Sequence, residues 1–263
     1  MVSADSPEPG PEDERGRDTP EFYEERRTSF GAFADTYNAT RPEWPEATIR
    51  WLVDDRPPGA PVLDVGAGTG KGTRTLAALG LAPTALDPSA GMLGELQARQ
   101  PDVPVLVGTA EAIPLPDNTF DAIICLQAWH WVDSPVAARE CARVLRPAGT
   151  LGIAWHVRDE TVPWVARLSE AAGRREDAVA STRGVLPPDV EGPFDPAEIQ
   201  VFDYDLVLDV DGVVALASSW SYLALADDRD ERLTAVRRVA ESAAVDGVVR
   251  IPHRTQCFRF RKR

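Results

Sequence analysis

The 263-residue chain contains two lysines, Lys71 and Lys262, so arginine carries nearly all of its positive charge. That bias reads as base composition of the gene and lowers the weight of any single arginine as a functional signal. Asp and Glu outnumber Lys and Arg by 42 to 28, giving a formal net charge of −14. Such a balance excludes non-specific binding to nucleic acid or to an anionic membrane, since both need basic surface. Cysteine is scarce: Cys125, Cys141 and Cys257 lie far apart inside apolar segments, without C-x-x-C spacing. They are expected as reduced core thiols of a cytoplasmic protein. No run approaches the ~18 apolar residues of a membrane span, and MVSADSPEPG lacks the basic start and apolar stretch of a signal peptide. No His/Cys/Asp cluster has metal-ligand spacing, and no G-x-S-x-G nucleophile elbow occurs.

What is present divides the chain. Residues 1–20 hold six acidic residues and four prolines but no aromatic, the composition of a disordered tail. Residues 21–60 bring Phe22, Phe30, Phe33, Tyr37 and Trp44 among helix formers and read as an N-terminal helical lid. The stretch 61–157 alternates strand candidates (61–66, 82–87, 103–107, 120–126, 149–156) with helix candidates (46–55 before it, then 70–79, 89–99, 134–145). That rhythm predicts a parallel sheet covered on both faces. Residues 158–263 predict a helix at 162–176, a strand at 199–208, helices near 211–219 and 228–244, and a final strand in PHRTQCFRFRKR. The two late strands fit an antiparallel edge on the parallel sheet. The basic alternation at 259–263 is read as protection of an exposed edge strand rather than a nucleic-acid site.

The segment VLDVGAGTGKGT, residues 62–73, carries the first chemical signal. A phosphate loop, G-x-x-x-x-G-K-[ST], fails at Val65 and at Gly72. A nicotinamide fingerprint, G-x-G-x-x-G/A, places Lys71 where a small residue is needed. What remains is a strand, Asp64, and then Gly66, Ala67, Gly68 and Gly70, a tight turn whose amides face a ligand at a helix start. A carboxylate there suits a ligand with an ammonium group, although a purely structural turn has the same glycines. Lys71 is expected to face solvent in the first helical turn. Further on, TALDPSAGML puts Asp87 twenty-one residues after Gly66, suited either to ribose hydroxyls or to capping the next helix.

Together with VGTAEAIPLPDNTFDAIICLQAWHWVD and RVLRPAGTL, these segments resemble the class I S-adenosylmethionine-dependent methyltransferases. The likeness is to the small-molecule branch called type 11 and, through YNATRPEWP and SWSYLALADD, to its trans-aconitate methyltransferase-like subgroup. The resemblance implies a Rossmann-like, doubly wound α/β fold: a seven-stranded mixed sheet with its last strand antiparallel, helices on both faces and an N-terminal helical lid. It implies S-adenosyl-L-methionine as cofactor, Asp87 and Pro88 at the ribose, and Met92, Ala110 and Glu111 near the adenine. Tyr37 and Arg41 match positions suited to the cofactor carboxylate, Arg41 being equally readable as a surface arginine before a proline. Ala148 departs from the family, which commonly carries glycine there.

In this topology the fourth strand neighbours the first, so QAWHWVD brings Gln127, Trp129, His130 and Trp131 toward the reaction centre. His130 is the first candidate general base and His156 the second, with a role in positioning alone as the alternative. Arg158 is a candidate anchor for an anionic acceptor, and Trp220 and Tyr222 are candidate walls of its pocket. The function implied is methyl transfer to a small-molecule acceptor, with O-methylation of a carboxylate or hydroxyl favoured. An NAD(P)-dependent oxidoreductase and a non-catalytic S-adenosylmethionine-binding protein are the rivals. No pattern in the chain sets an oligomeric state.

Overall fold

A computed structural model describes residues 43–173, 188–190, 192–220, 223 and 226–263. The tail at 1–20, most of the lid, Tyr37, Arg41 and Tyr222 lie outside the described residues. The elements are α1 (Glu46–Leu52), β1 (Pro61–Val65), α2 (Lys71–Ala78), β2 (Ala82–Asp87), α3 (Ala90–Arg99), β3 (Val105–Val107) and β4 (Phe120–Leu126). A single 3-10 turn, Trp129–Trp131, leads into α4 (Ser134–Val144) and β5 (Leu145–Arg158). Then follow α5 (Pro163–Ala171), β6 (Glu198–Asp209), α6 (Val210–Ser218), α7 (Arg229–Ala243) and β7 (Val248–Arg261).

The strands form one seven-stranded sheet in the order β3-β2-β1-β4-β5-β7-β6. β1 to β5 pair in parallel, and β7 runs antiparallel to both β5 and β6. Central strands buried on both faces need near-continuous apolar runs, and FDAIICL of β4 is one. Its alternate residues feed different cores. Ile123 and Cys125 join Leu63, Leu151 and Ile153 under α4, while Ala122 and Ile124 join Val62 and Leu76 under α1 and α2. Ile49 and Leu52 of α1 are fully buried on that second face. Each contributes about 2 kcal/mol of apolar burial to fixing the segment that leads to β1. A third cluster joins α5, α6 and α7 to Val249 and Ile251 of β7. Helix starts follow side-chain chemistry: Ser89 accepts from the Met92 amide and Asp133 from the Val136 amide.

Two expectations are corrected. β7 is not an edge strand; β6 and β3 are the edges. The arginines of β7 are tied inward instead. Arg259 pairs with Asp54 at 3.0 Å and Glu198 at 2.6 Å and lies over the Trp51 ring, and Arg261 pairs with Asp54 at 2.9 Å. Lys71 does not face solvent: it is 9% exposed, and its Nζ lies 3.0 Å from Glu43 Oε1. All three cysteines are free and buried, as expected. Among the described residues no helix is long and apolar enough to cross a membrane.

Candidate cofactor and acceptor site

The glycine turn closes on the end of β2. Gly66 and Ala67 amides donate to the Leu86 carbonyl at 2.8 and 3.1 Å, which ties β1 to β2 where both strands stop. Asp87 then fastens two segments with one carboxylate. Oδ2 accepts from the Gly68 amide at 2.9 Å and Oδ1 from the Ser89 amide at 2.8 Å. The alternative role as helix cap falls to Ser89.

Gly68 and Gly72 show two different uses of glycine. Gly68 has φ +54°, and a Cβ there would meet nothing within 4 Å, which leaves the loop's outer side open to a ligand. Gly72 is a close-approach residue: a Cβ would lie 2.5 Å from Leu126 Cδ1 and 3.1 Å from Asp64 Oδ2. It supplies the tight helix-to-strand packing that a nicotinamide fingerprint places one residue earlier. Gly70 lines neither of the two cavities at this turn; it adopts φ 84° at the start of α2.

Two cavities share Gly66, Gly68 and Gln127. The larger is lined by Asp87, Pro88, Met92, Ala110, Glu111 and Trp131 among others, so the expected ribose and adenine residues converge on one space. The smaller is lined by Asp64, Ala67, Thr69, Lys71 and Trp44. Asp64 is 1% exposed and accepts from the Thr73 hydroxyl at 2.6 Å. Burial pushes its carboxyl up to about 7; the Thr73 hydrogen bond opposes the rise and the charge of Asp87 adds to it. Glu43 accepts from both Lys71 and Arg74, the latter at 2.7 Å, and bolts the residues before α1 onto α2. Sequence reasoning missed Lys71 and Trp44 as cavity residues. Their placement depends on Glu43, 28 residues before Lys71, and on a stack across the sheet.

The acceptor-side expectations fare unevenly. Trp131 reaches the larger cavity, but Trp129 is 4% exposed in the core, its indole donating to Ser134 Oγ. His130 lines neither cavity. Its Nδ1 accepts from Trp155 Nε1 at 3.3 Å, and the surrounding protein lowers its pKa to about 4, although the residue itself is exposed. Exposure argues for a smaller shift; either way the ring is neutral at neutral pH. A neutral imidazole whose Nδ1 accepts carries its proton on Nε2 and has no lone pair to offer. Arg158 is engaged internally, donating to Ser169 Oγ at 3.1 Å with its guanidinium 3.9 Å from the centre of the Trp220 ring. Trp220 itself is 4% exposed in the third apolar cluster. Neither lines the two cavities.

His156 is better connected. Its ring stacks on Trp44 with centroids 3.8 Å apart, its Nδ1 lies 2.8 Å from Thr255 Oγ1, and its carbonyl accepts from Gln127 Nε2 at 3.1 Å. Gln127 holds φ 59°, the left-handed region, immediately after β4. Such a conformation in a non-glycine residue persists where surrounding contacts fix it, and this residue belongs to both cavities.

A mixed sheet with one antiparallel strand, a glycine turn at its switch point and an acidic residue ending the second strand define an α/β protein built for a nucleoside-bearing ligand. The family described as "Methyltransferase domain" matches residues 63–153. An uncharacterized methyltransferase of Mycobacterium tuberculosis is 40% identical over 238 residues, covering 88% of this chain and 94% of its own. Malonyl-acyl-carrier-protein O-methyltransferase of Methylococcus capsulatus is 40% identical over 134 residues, 47% of this chain and 48% of that one. Haemonchus contortus phosphoethanolamine N-methyltransferase 2, solved with phosphomonomethylethanolamine and S-adenosylhomocysteine, shares the fold. It has TM-score 0.55 and 16% identity, over 91% of this chain and 59% of that one. The chain belongs to the methyltransferase family, and the oxidoreductase alternative is set aside. The residues present fit S-adenosylmethionine: Asp87, Met92, Ala110 and Glu111 line one cavity with Gly68, at which a Cβ would meet nothing within 4 Å.

Proposed function

We propose that the protein transfers a methyl group from S-adenosylmethionine to a small-molecule acceptor, with O-methylation of a carboxylate or hydroxyl favoured. The observation that carries the reading is the junction of two cavities at Gly66, Gly68 and Gln127. On one side Asp87 would take the ribose hydroxyls, with Met92, Ala110 and Glu111 around the base. On the other, Asp64 and Lys71 would face the amino-acid end, Asp64 supplying a carboxylate for an ammonium group. When bound, the sulfonium supplies an electrophilic methyl group. The chain's part is to hold donor and acceptor in line and to keep water out.

Trp131 and Trp44 supply apolar walls beside that junction. For a hydroxyl acceptor His156 is preferred to His130 as proton acceptor. Like His130, His156 lines neither cavity; in the tautomer whose Nδ1 donates to the Thr255 hydroxyl, its Nε2 can take a proton, whereas the Trp155 bond sets His130 in the opposite tautomer. A carboxylate acceptor needs no base. The test is incubation with methyl-labelled S-adenosylmethionine and fractionated small-molecule extracts, read by mass spectrometry. The reading expects a labelled product from a low-molecular-mass fraction and S-adenosylhomocysteine in equal amount. Cofactor binding with no product from any fraction would favour a non-catalytic role.

A further inference from the structure

Arg143, near the end of α4, makes contacts that the methyl-transfer reading does not use. Its Nε and Nη2 grip Glu140 at 2.8 and 2.7 Å, a bidentate pair within one helix. The remaining three N–H groups point into the loop between β3 and β4. Nη2 donates to the Ile113 carbonyl at 2.9 Å, and Nη1 to the Leu115 carbonyl at 2.8 Å and Asp117 Oδ1 at 2.9 Å. All five guanidinium donors are thereby used. Glu140 returns a contact, accepting from the Ile113 amide at 3.0 Å.

That loop needs outside support. Pro114 and Pro116 donate no backbone hydrogen bond, and among the described residues its only β-pairing is the single bridge between Thr109 and Ala112. Its first four residues, Gly108, Thr109, Ala110 and Glu111, line the larger cavity. Glu111 is tied to the other end of α4, accepting from the Asp133 amide at 2.9 Å. α4 therefore acts as a splint, fastened to the loop near both ends.

We propose that the Arg143–Glu140 pair is a positioning device for cofactor binding: it holds the loop so that Ala110 and Glu111 keep the shape of the base-binding side of the cavity. Arg143 lines neither of the two cavities and acts through the loop. The proposal rests on the reading that the cofactor occupies that cavity. Lysine cannot replace the arginine, having three donors on one point charge where five in a planar fork are used.

The experiment is titration calorimetry with S-adenosylhomocysteine on wild type, Arg143→Gln, Arg143→Lys and Arg259→Gln, each well below its melting temperature. Arg259→Gln is the control, since Arg259 ties α1 and β6 together on a different part of the sheet. The expected result is a Kd raised about tenfold or more in Arg143→Gln, a smaller rise in Arg143→Lys, and a Kd within twofold of wild type in the control. Once an acceptor is known, KM for the cofactor should rise while kcat changes little. Should Arg143→Gln fail to fold, Arg143→Lys carries the test. Wild-type affinity in a folded Arg143 variant overturns the proposal alone. Absence of binding in wild type overturns the cavity assignment beneath it.

Discussion

Replacing Asp64 by Asn should flatten the dependence of stability on pH. Asp64 is 1% exposed, and burial raises its pKa from 3.8 to about 7. A carboxyl whose pKa is raised by folding is bound to a proton more tightly in the native state than in the unfolded one. Its contribution is thus fully present below about pH 4 and is lost as pH rises through about 7. At about 1.4 kcal/mol per pKa unit the full displacement corresponds to about 4 kcal/mol, of which roughly 2–3 kcal/mol falls between pH 5 and 8. Asn keeps the shape and an acceptor for the Thr73 hydroxyl but cannot ionise. Urea unfolding at pH 5, 6, 7 and 8 should therefore show the wild type losing about 2 kcal/mol more than Asp64→Asn across the series. Comparing the two proteins matters, because His130, with its pKa lowered, acts in the opposite sense by losing stability as pH falls. Parallel pH profiles would refute the argument that burial raises the Asp64 carboxyl.

Other outcomes follow from the same contacts. Ala148 sits at φ 59° in the irregular first residues of β5, between the Leu145 and Thr150 pairings, so Ala148→Gly should stabilise the protein by about 0.5–1 kcal/mol in denaturant unfolding. A destabilised variant would mean that this backbone does not strain alanine. Gly72→Ala places a methyl group 2.5 Å from Leu126 Cδ1 and should cost about 1–3 kcal/mol; unchanged melting would show that α2 can lift from β1 freely. For a hydroxyl acceptor, His156→Ala should lower kcat by about 100-fold or more, while His130→Ala should change it only a few-fold. The reverse ranking would restore His130 as the base.

The central sheet was legible because its strands are short apolar runs separated by glycine, proline and capping residues, signals that act within a few positions. That the glycine turn, Asp87 and the Ala110–Glu111 pair come together around one cavity was legible for a related reason. Asp64, the glycines, Asp87 and the Ala110–Glu111 pair sit at strand ends, so their distances along the chain translate directly into neighbours across a parallel sheet. Long-range partners were not legible. Lys71 turns inward toward Glu43 and the small cavity, and a helical pattern alone gives no means of pairing those residues. Arg259 and Arg261 looked like edge protection, but β6 lies outside them and Asp54 and Glu198 bind them. Trp129, Arg158 and Trp220 had chemistry suited to an acceptor pocket, yet each is engaged by internal contacts with Ser134, Ser169 or one another. The identity of a side chain shows what it can bind; the fold decides whether that capacity is already used.

The most direct measurement of the central claim is calorimetric titration of S-adenosylhomocysteine into wild type and Asp87→Ala, alongside NADH. One Asp87 carboxylate holds the glycine loop and the start of α3 in register and lines the larger cavity. The account predicts one-to-one binding by the wild type, no binding of NADH, and an affinity at least about tenfold weaker in Asp87→Ala, each charged hydrogen bond contributing about 1.5–3 kcal/mol. Equal binding by wild type and a folded Asp87→Ala, or binding of NADH alone, would contradict it.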